Sequence, residues 1–127
     1  MLCAQKSNRL EKGYRQLVSL MLPAGVMEYF ELMNAEQSDD GVIKIYLEEK
    51  NISPYEYRLE KLHSKGFLPE VEVQDFPIRN HKVLLCIKRR RWEVIRTGEI
   101  ITRDWTALRE RARITSEFGL FLKAVFG

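Results

Sequence analysis

Apolar side chains recur along this chain with two periods. Leu10, Tyr14, Leu17, Val18 and Met21 fall at steps of four, three, one and three, one face of a helix predicted from about Arg9 to Met21. Asn8 is placed to cap it, Gly13 weakens it slightly, and Pro23 stops it. Residues 1–8 read as a flexible start. After a turn at Leu22-Pro23-Ala24-Gly25, Val26 to Phe30 makes a helical turn and Glu31 to Gln37 a strand. Ser38-Asp39-Asp40-Gly41 is a turn signal. Val42 to Glu49 then alternates, with Ile43, Ile45 and Leu47 on one side and Lys44, Tyr46 and Glu48 on the other. The two arms predict an antiparallel hairpin with one wet face.

Asn51 to Pro69 is the least regular stretch, either a short helix between Pro54 and Gly66 or an ordered loop. Glu70 to Phe76 alternates again, and Pro77 ends that strand or puts it at an edge. Arg79-Asn80-His81-Lys82 fits a turn. Lys82 to Val94 is the longest strand candidate. Its middle, Val83 to Ile87, is apolar on both faces and so belongs centrally in a sheet, while Lys88-Arg89-Arg90-Arg91 must leave the core. Thr97-Gly98 turns the chain into a short strand, Glu99 to Arg103. Asp104 caps a helix over Trp105 to Ala112, and Thr115 or Ser116 caps a second one to about Phe126. Ile114, Phe118, Phe121, Leu122 and Val125 form the stripe of that last helix, broadened by Leu120 and Phe126. The pattern predicts an α+β domain over residues 9–127. It has a small, mostly antiparallel sheet of four or five strands, an N-terminal helix and one or two C-terminal helices.

Composition narrows the function classes. The chain has 127 residues, 45% hydrophobic and 31% charged, which excludes global disorder and suits one domain. Apolar runs reach only four or five residues, far short of a membrane span, and Lys6 and Arg9 follow the N-terminus in an order wrong for a secretory signal. A cytoplasmic protein is expected. Cys3 and Cys86 read as free thiols, and a zinc ribbon has no ligand set. His63 and His81 each have a nearby acid, Glu60 and Asp75, but neither spacing matches a metal pattern, so no metal is expected.

No triad of carboxylates can be assembled from Asp39-Asp40, Glu48-Glu49, Asp75 and Asp104. Glu48-Glu49 reads as a wet strand end. No nucleophile elbow or Gly-rich phosphate loop is present either. The chain is therefore read as noncatalytic, without a cofactor.

Charge is uneven. Residues 1–63 hold 8 basic and 10 acidic side chains, a net of −2, and residues 64–127 hold 13 and 8, a net of +5. Lys88-Arg89-Arg90-Arg91-Trp92 is the sharpest local feature. Arginine and lysine supply phosphate contacts, and tryptophan stacks on a base or braces an arginine stem. On a strand, Arg89 and Arg91 point one way and Arg90 and Trp92 the other. The competing reading is a solvated strand end with Trp92 in the core and the arginines paired to Glu93, Glu70 or Glu72. Arg103, Arg109, Arg111 and Arg113 form a second basic group between two helices. A helix-turn-helix is disfavoured, since its second helix offers only Lys123. Phe118, Phe121, Leu122, Val125 and Phe126 must be covered by this domain's own sheet, by a second copy or by another protein.

Whole phrases carry a likeness to a known family. They are Leu22-Pro23-Ala24-Gly25-Val26-Met27-Glu28-Tyr29-Phe30-Glu31, Ile45-Tyr46-Leu47-Glu48-Glu49-Lys50-Asn51 and Ser64-Lys65-Gly66-Phe67-Leu68-Pro69. Further phrases are Val73-Gln74-Asp75-Phe76-Pro77-Ile78-Arg79, Arg89-Arg90-Arg91-Trp92, Ile100-Ile101-Thr102-Arg103-Asp104-Trp105 and Arg113-Ile114-Thr115-Ser116-Glu117-Phe118. Over most of residues 20–122 the chain resembles the N-terminal region proteins of a bacterial insertion-sequence transposase family common in Bacteroidetes. The resemblance implies a separate small reading frame, or the leading part of a transposase whose acidic catalytic core lies downstream. The implied role is recognition of the element's end or assembly with the catalytic polypeptide. It assigns no role to single residues. From charge, the expected DNA contacts are Arg79, Lys88, Arg89, Arg90, Arg91, Trp92 and Arg103. The rival expectation is a docking or dimerisation face on the C-terminal helix at Phe118, Phe121, Leu122, Val125 and Phe126.

Overall fold

The computed structural model describes residues 2–111 and 116–126, with residues 2–10, 109–111, 116 and 126 described by backbone alone. The fold is α+β, with helices at both chain ends around two sheets. Helix α1 runs Leu2–Met21, so the segment expected to be loose is helical from Leu2 onward. Leu2-Cys3-Ala4-Gln5-Lys6 contains neither glycine nor proline, and nothing in it opposes a helix. Asn8 consequently lies inside the helix.

A short helix, α2 (Val26–Tyr29), feeds the hairpin of β1 (Phe30–Gln37) and β2 (Ile43–Glu49), with a bulge between Leu32 and Asn34. Gly25 precedes α2 at φ +95, and a Cβ there would lie 3.1 Å from the Phe118 ring, so both backbone and packing require glycine. The irregular stretch holds a single 3-10 turn at Tyr55–Tyr57 and a strand the sequence pattern had not indicated, β3 (Leu62–Phe67).

Strand β4 (Val71–Ile78) runs through Pro77, which an edge position permits. The long strand expected from Lys82 to Val94 is two strands broken at Arg89, β5 (His81–Lys88) and β6 (Arg90–Val94). They lie in different sheets. The large sheet has the order β1-β2-β5-β4, antiparallel except for β2 beside β5. Its two middle strands are thus the ones richest in apolar residues. The small sheet pairs β3 and β6 with β7 (Ile100–Thr102). Two sheets replace the single one expected, because charge on both faces at Lys88-Arg89-Arg90-Arg91 ends β5 and lets the chain turn away.

Helices α3 (Trp105–Arg111) and α4 (Ser116–Phe126) follow. Asp104 caps α3 as expected, its Oδ1 accepting the Ala107 N–H at 3.0 Å. The expected cap Thr115 and stripe residue Ile114 lie outside the described residues, as does Ala112. The core on the inner face of the large sheet gathers Ile45, Leu47, Val83, Leu85 and Ile87 under Phe30, Trp105, Phe118, Phe121 and Leu122. Phe30 stacks on Trp105 at 5.4 Å and meets Phe121 edge-on at 6.0 Å. Phe118 stacks on Tyr29 at 5.7 Å.

The expectation of a partner face on α4 is therefore corrected. Phe118, Phe121 and Leu122 are buried in the chain's own core, and Val125 packs against it. The side chain of Phe126 lies outside the description.

Candidate functional site

The basic segment separates into three environments. Arg90 begins β6 and turns inward with Trp92 and Val94, as strand alternation requires. Its backbone N–H donates to Glu49 Oε1 at 3.0 Å and its Nε to the Glu49 carbonyl at 3.0 Å. Its Nη1 donates to Ser64 Oγ, and its guanidinium lies 4.7 Å from the Phe67 ring centroid. The second oxygen of Glu49 accepts from Arg103 Nε at 2.8 Å, and Arg103 Nη2 donates to the Ile52 carbonyl.

Glu49 and Arg103 are the two charged residues that the described core buries. Arg103 sits 5.5–5.6 Å from the rings of Tyr29, Trp92 and Trp105. Burial raises the Glu49 pKa, and Arg103 and Arg90 work against that rise. This node joins the end of β2 in the large sheet to β6 and the end of β7 in the small one.

Two expected contact residues are thereby corrected. Trp92 is 1% exposed, with its Nε1 donating to Asn51 Oδ1 at 2.9 Å, so no base can stack on it. Arg103 is 8% exposed and ion-paired, and no phosphate reaches it. Arg90 is held on all its donor groups named above. The carboxylate responsible is Glu49, which the alternation Ile45, Leu47, Glu49 already puts on the inward face of β2. Glu49 is thus buried and not the wet strand end expected of Glu48-Glu49.

Arg91 faces the other way, on the outer surface of the small sheet. Its Nη2 donates to the Lys65 carbonyl at 3.1 Å, and Lys65 pairs with Glu93 at 3.0 Å. Arg89 is the half-buried residue between the sheets, and its carbonyl accepts the Leu68 N–H at 2.8 Å. Lys88 is half-buried opposite Glu48. Arg96 clamps Glu60 at 2.7 Å and holds that carboxyl below its usual range. Arg79 lies in the β4–β5 turn at φ 51 beside Asn80 at φ 67. That is the opposite end of an eight-residue strand, about 25 Å from Arg89 at ~3.3 Å per residue. The fold does not bring Arg79 to the others. The side chains of Arg109 and Arg111 lie outside the description, and Arg113 outside the described residues.

Two other features are chemically distinct. Glu70, Glu72 and Cys86 bring their ligand atoms within 4.8 Å of one another on the outer face of the large sheet. Burial and the two carboxylates raise the Cys86 pKa, which disfavours the thiolate a metal needs. Helix α1 exposes its apolar stripe, with Tyr14 at 64%, Leu17 at 53%, Leu20 at 77% and Met21 at 48%. Between it and β1, the outer strand of the large sheet, runs a groove of about 630 Å³ lined by Tyr14, Val18, Leu32 and Met33 among others. The sequence had shown this stripe but not that it would stay uncovered. Among the described residues no helix is long and apolar enough to cross a membrane. Comparison with family models, curated proteins and solved structures finds no match.

Proposed function

We propose that this chain is a noncatalytic accessory domain of a transposase system, acting in the cytoplasm by protein assembly through the apolar face of α1. One observation carries the reading. The stripe on α4 is absorbed by the core, whereas the stripe on α1 stands in solvent at Tyr14, Leu17, Leu20 and Met21. A contiguous exposed apolar face of this kind marks an interaction surface. The transposase setting rests on the resemblance of residues 20–122. The test co-expresses the chain with the catalytic polypeptide of the same element and measures complex size by light scattering. Wild type is expected in a complex, with itself or with that polypeptide, and Leu17→Glu/Leu20→Glu as a folded monomer. A wild type that stays monomeric in both settings overturns the reading.

DNA contact is the second reading, now confined to the outer face of the small sheet. What favours it is that Arg91 is anchored by a backbone carbonyl rather than a carboxylate, beside Lys65, which pairs with Glu93. Mostly phosphate contacts predict strong salt dependence and weak sequence preference. In a salt-titrated assay on the element's terminal DNA, Lys65→Ala/Arg91→Ala should bind more weakly with a shallower salt slope. Unchanged binding removes this reading.

A further inference from the structure

We infer that Glu70, Glu72 and Cys86 form a site for a thiophilic divalent cation, of the Zn²⁺ class, on the outer face of the large sheet. The site is independent of the apolar face of α1. Strand pairing sets its frame. Glu72 of β4 lies directly opposite Cys86 of β5 in the antiparallel ladder. Side chains so placed start about 5 Å apart at Cβ. Glu70 stands two positions before Glu72, so alternation puts it on the same face. The ligand atoms of all three residues, two carboxylate oxygens and Sγ, lie within 4.8 Å of one another.

The thiol separates this cluster from an ordinary acidic patch. Cys86 is 1% exposed, although its register partner on β2 is Tyr46, on the face with Lys44 and Glu48. Among the described residues its Sγ has no hydrogen-bond partner. Cys86 lines a cavity of about 210 Å³ together with Tyr46, Glu48, Glu70 and Lys88. A buried, unpartnered thiol and a carboxylate thus share one cavity. Neither Glu70 nor Glu72 is ion-paired among the described residues, and Lys88 lines the cavity without closing on either. Two carboxylates held this close repel each other, and a cation between them removes the repulsion.

The donor set selects the ion. A thiolate is a poor ligand for Mg²⁺ or Ca²⁺, and two carboxylates are poor ligands for Cu⁺, which leaves a borderline ion such as Zn²⁺. Tetrahedral Zn²⁺ at about 2.3 Å from sulfur and about 2.1 Å from oxygen sets ligand atoms about 3.5 Å apart. The glutamates are exposed and long enough to close the remaining ångström or so, while Cys86 is fixed by its strand. Burial, then Glu70 and Glu72, hold the proton on Cys86 before a cation binds. A bound dication reverses that balance: the metal–sulfur bond forms as the thiol proton passes to water. Three protein ligands leave a fourth position for water.

The test titrates Cd²⁺, a thiophilic probe, into the Cys3→Ser chain, where Cys86 is the remaining thiol. Binding is read by the ultraviolet sulfur-to-metal charge-transfer band. One Cd²⁺ per chain should bind with that band, and Zn²⁺ should displace it. Glu70→Gln/Glu72→Gln, at exposed positions and with circular dichroism confirming the fold, should bind at least tenfold more weakly. Glu31→Gln, on the same face but on β1, should bind as the parent does. In calorimetry with Zn²⁺, Cys86→Ser should lose the site. No band with Cd²⁺ in excess overturns the inference, as does unchanged Zn²⁺ binding by Cys86→Ser. Equal affinity in the Glu70/Glu72 variant also overturns it, leaving a thiol that acts alone. An equal loss in Glu31→Gln overturns it too, leaving only diffuse attraction by an acidic face.

Discussion

The large sheet closes over fourteen buried apolar residues, among them Phe30, Leu47, Ile87 and Leu122, whereas the small sheet closes over Trp92, Val94 and Ile101. The small sheet makes up the difference with directional contacts. Glu49 bonds to Arg90 and Arg103, and Trp92 bonds to Asn51. Apolar burial is non-directional and tolerates drift, while a buried carboxylate between two arginines is costly unless every partner is in place. The comparison explains why the most basic stretch of the chain is a poor DNA surface. Arg90 of that stretch, together with Arg103 after β7, is consumed in attaching one sheet to the other.

Removal of large side chains gives the largest effects. Phe30→Ala and Trp92→Ala should each cost about 3–5 kcal/mol in denaturant unfolding. They should differ in hydrogen exchange. Phe30→Ala should loosen both sheets, whereas Trp92→Ala should release residues 62–67 and 90–94 first and leave 83–87 protected. Equal loosening in both variants would erase the distinction between the sheets.

Next, Arg103→Met leaves Glu49 buried without its main counter-charge and should cost about 3 kcal/mol at neutral pH. With the Glu49 pKa raised in the fold, the folded chain holds that proton more tightly than the unfolded chain. The contribution is therefore complete below the ordinary carboxylate range and lost as pH rises through the folded value. Arg103→Met should raise that value further, so its deficit should grow from pH 4 upward. A deficit independent of pH would place the role of Arg103 in packing alone.

The two amphipathic helices sharpen the contrast at smaller scale. Leu122→Ala on α4 should cost about 2–3 kcal/mol, and Leu17→Ala on α1 less than about 0.5 kcal/mol. A large loss of stability for Leu17→Ala would mean that its face is covered within the protomer. The smallest effect is spectroscopic. Tyr46 donates to Glu36 Oε1 at 2.7 Å, and that bond with partial burial pushes its pKa up to about 12. Ultraviolet titration should show one phenol ionising near there, and Glu36→Gln should bring it down. An unchanged midpoint would leave the hydrogen bond without effect.

Much of the fold was legible because period and breaker agreed. The β1–β2 hairpin, the central place of Val83 to Ile87 and the cap at Asp104 all follow from local pattern, whereas Pro77 left a strand end and an edge position equally open. Strand β3 was hidden, since His63-Ser64-Lys65-Gly66 has no apolar alternation and is recruited by pairing with β6. The break at Arg89 was half visible, as a change of polarity without a direction. The site was misread at Glu49. A carboxylate in phase with Ile45 and Leu47 belongs inside, and a buried carboxylate demands cations. The phase of β2 continues past Leu47 to Glu49 and so predicts a buried carboxylate there. Which arginines answer it depends on contacts 41 and 54 residues away, which no local pattern supplies.

The claim that Glu49 and the arginines bound to it hold the two sheets together meets its most direct test in a double-mutant cycle. Glu49→Met, Arg103→Met and the double variant are unfolded in denaturant at neutral pH. A coupling energy of about 2–3 kcal/mol is predicted, with the double variant closer to wild type than the sum of the singles. Costs that add to within about 0.5 kcal/mol would contradict it and leave Arg103 a packing residue with no part in holding Glu49.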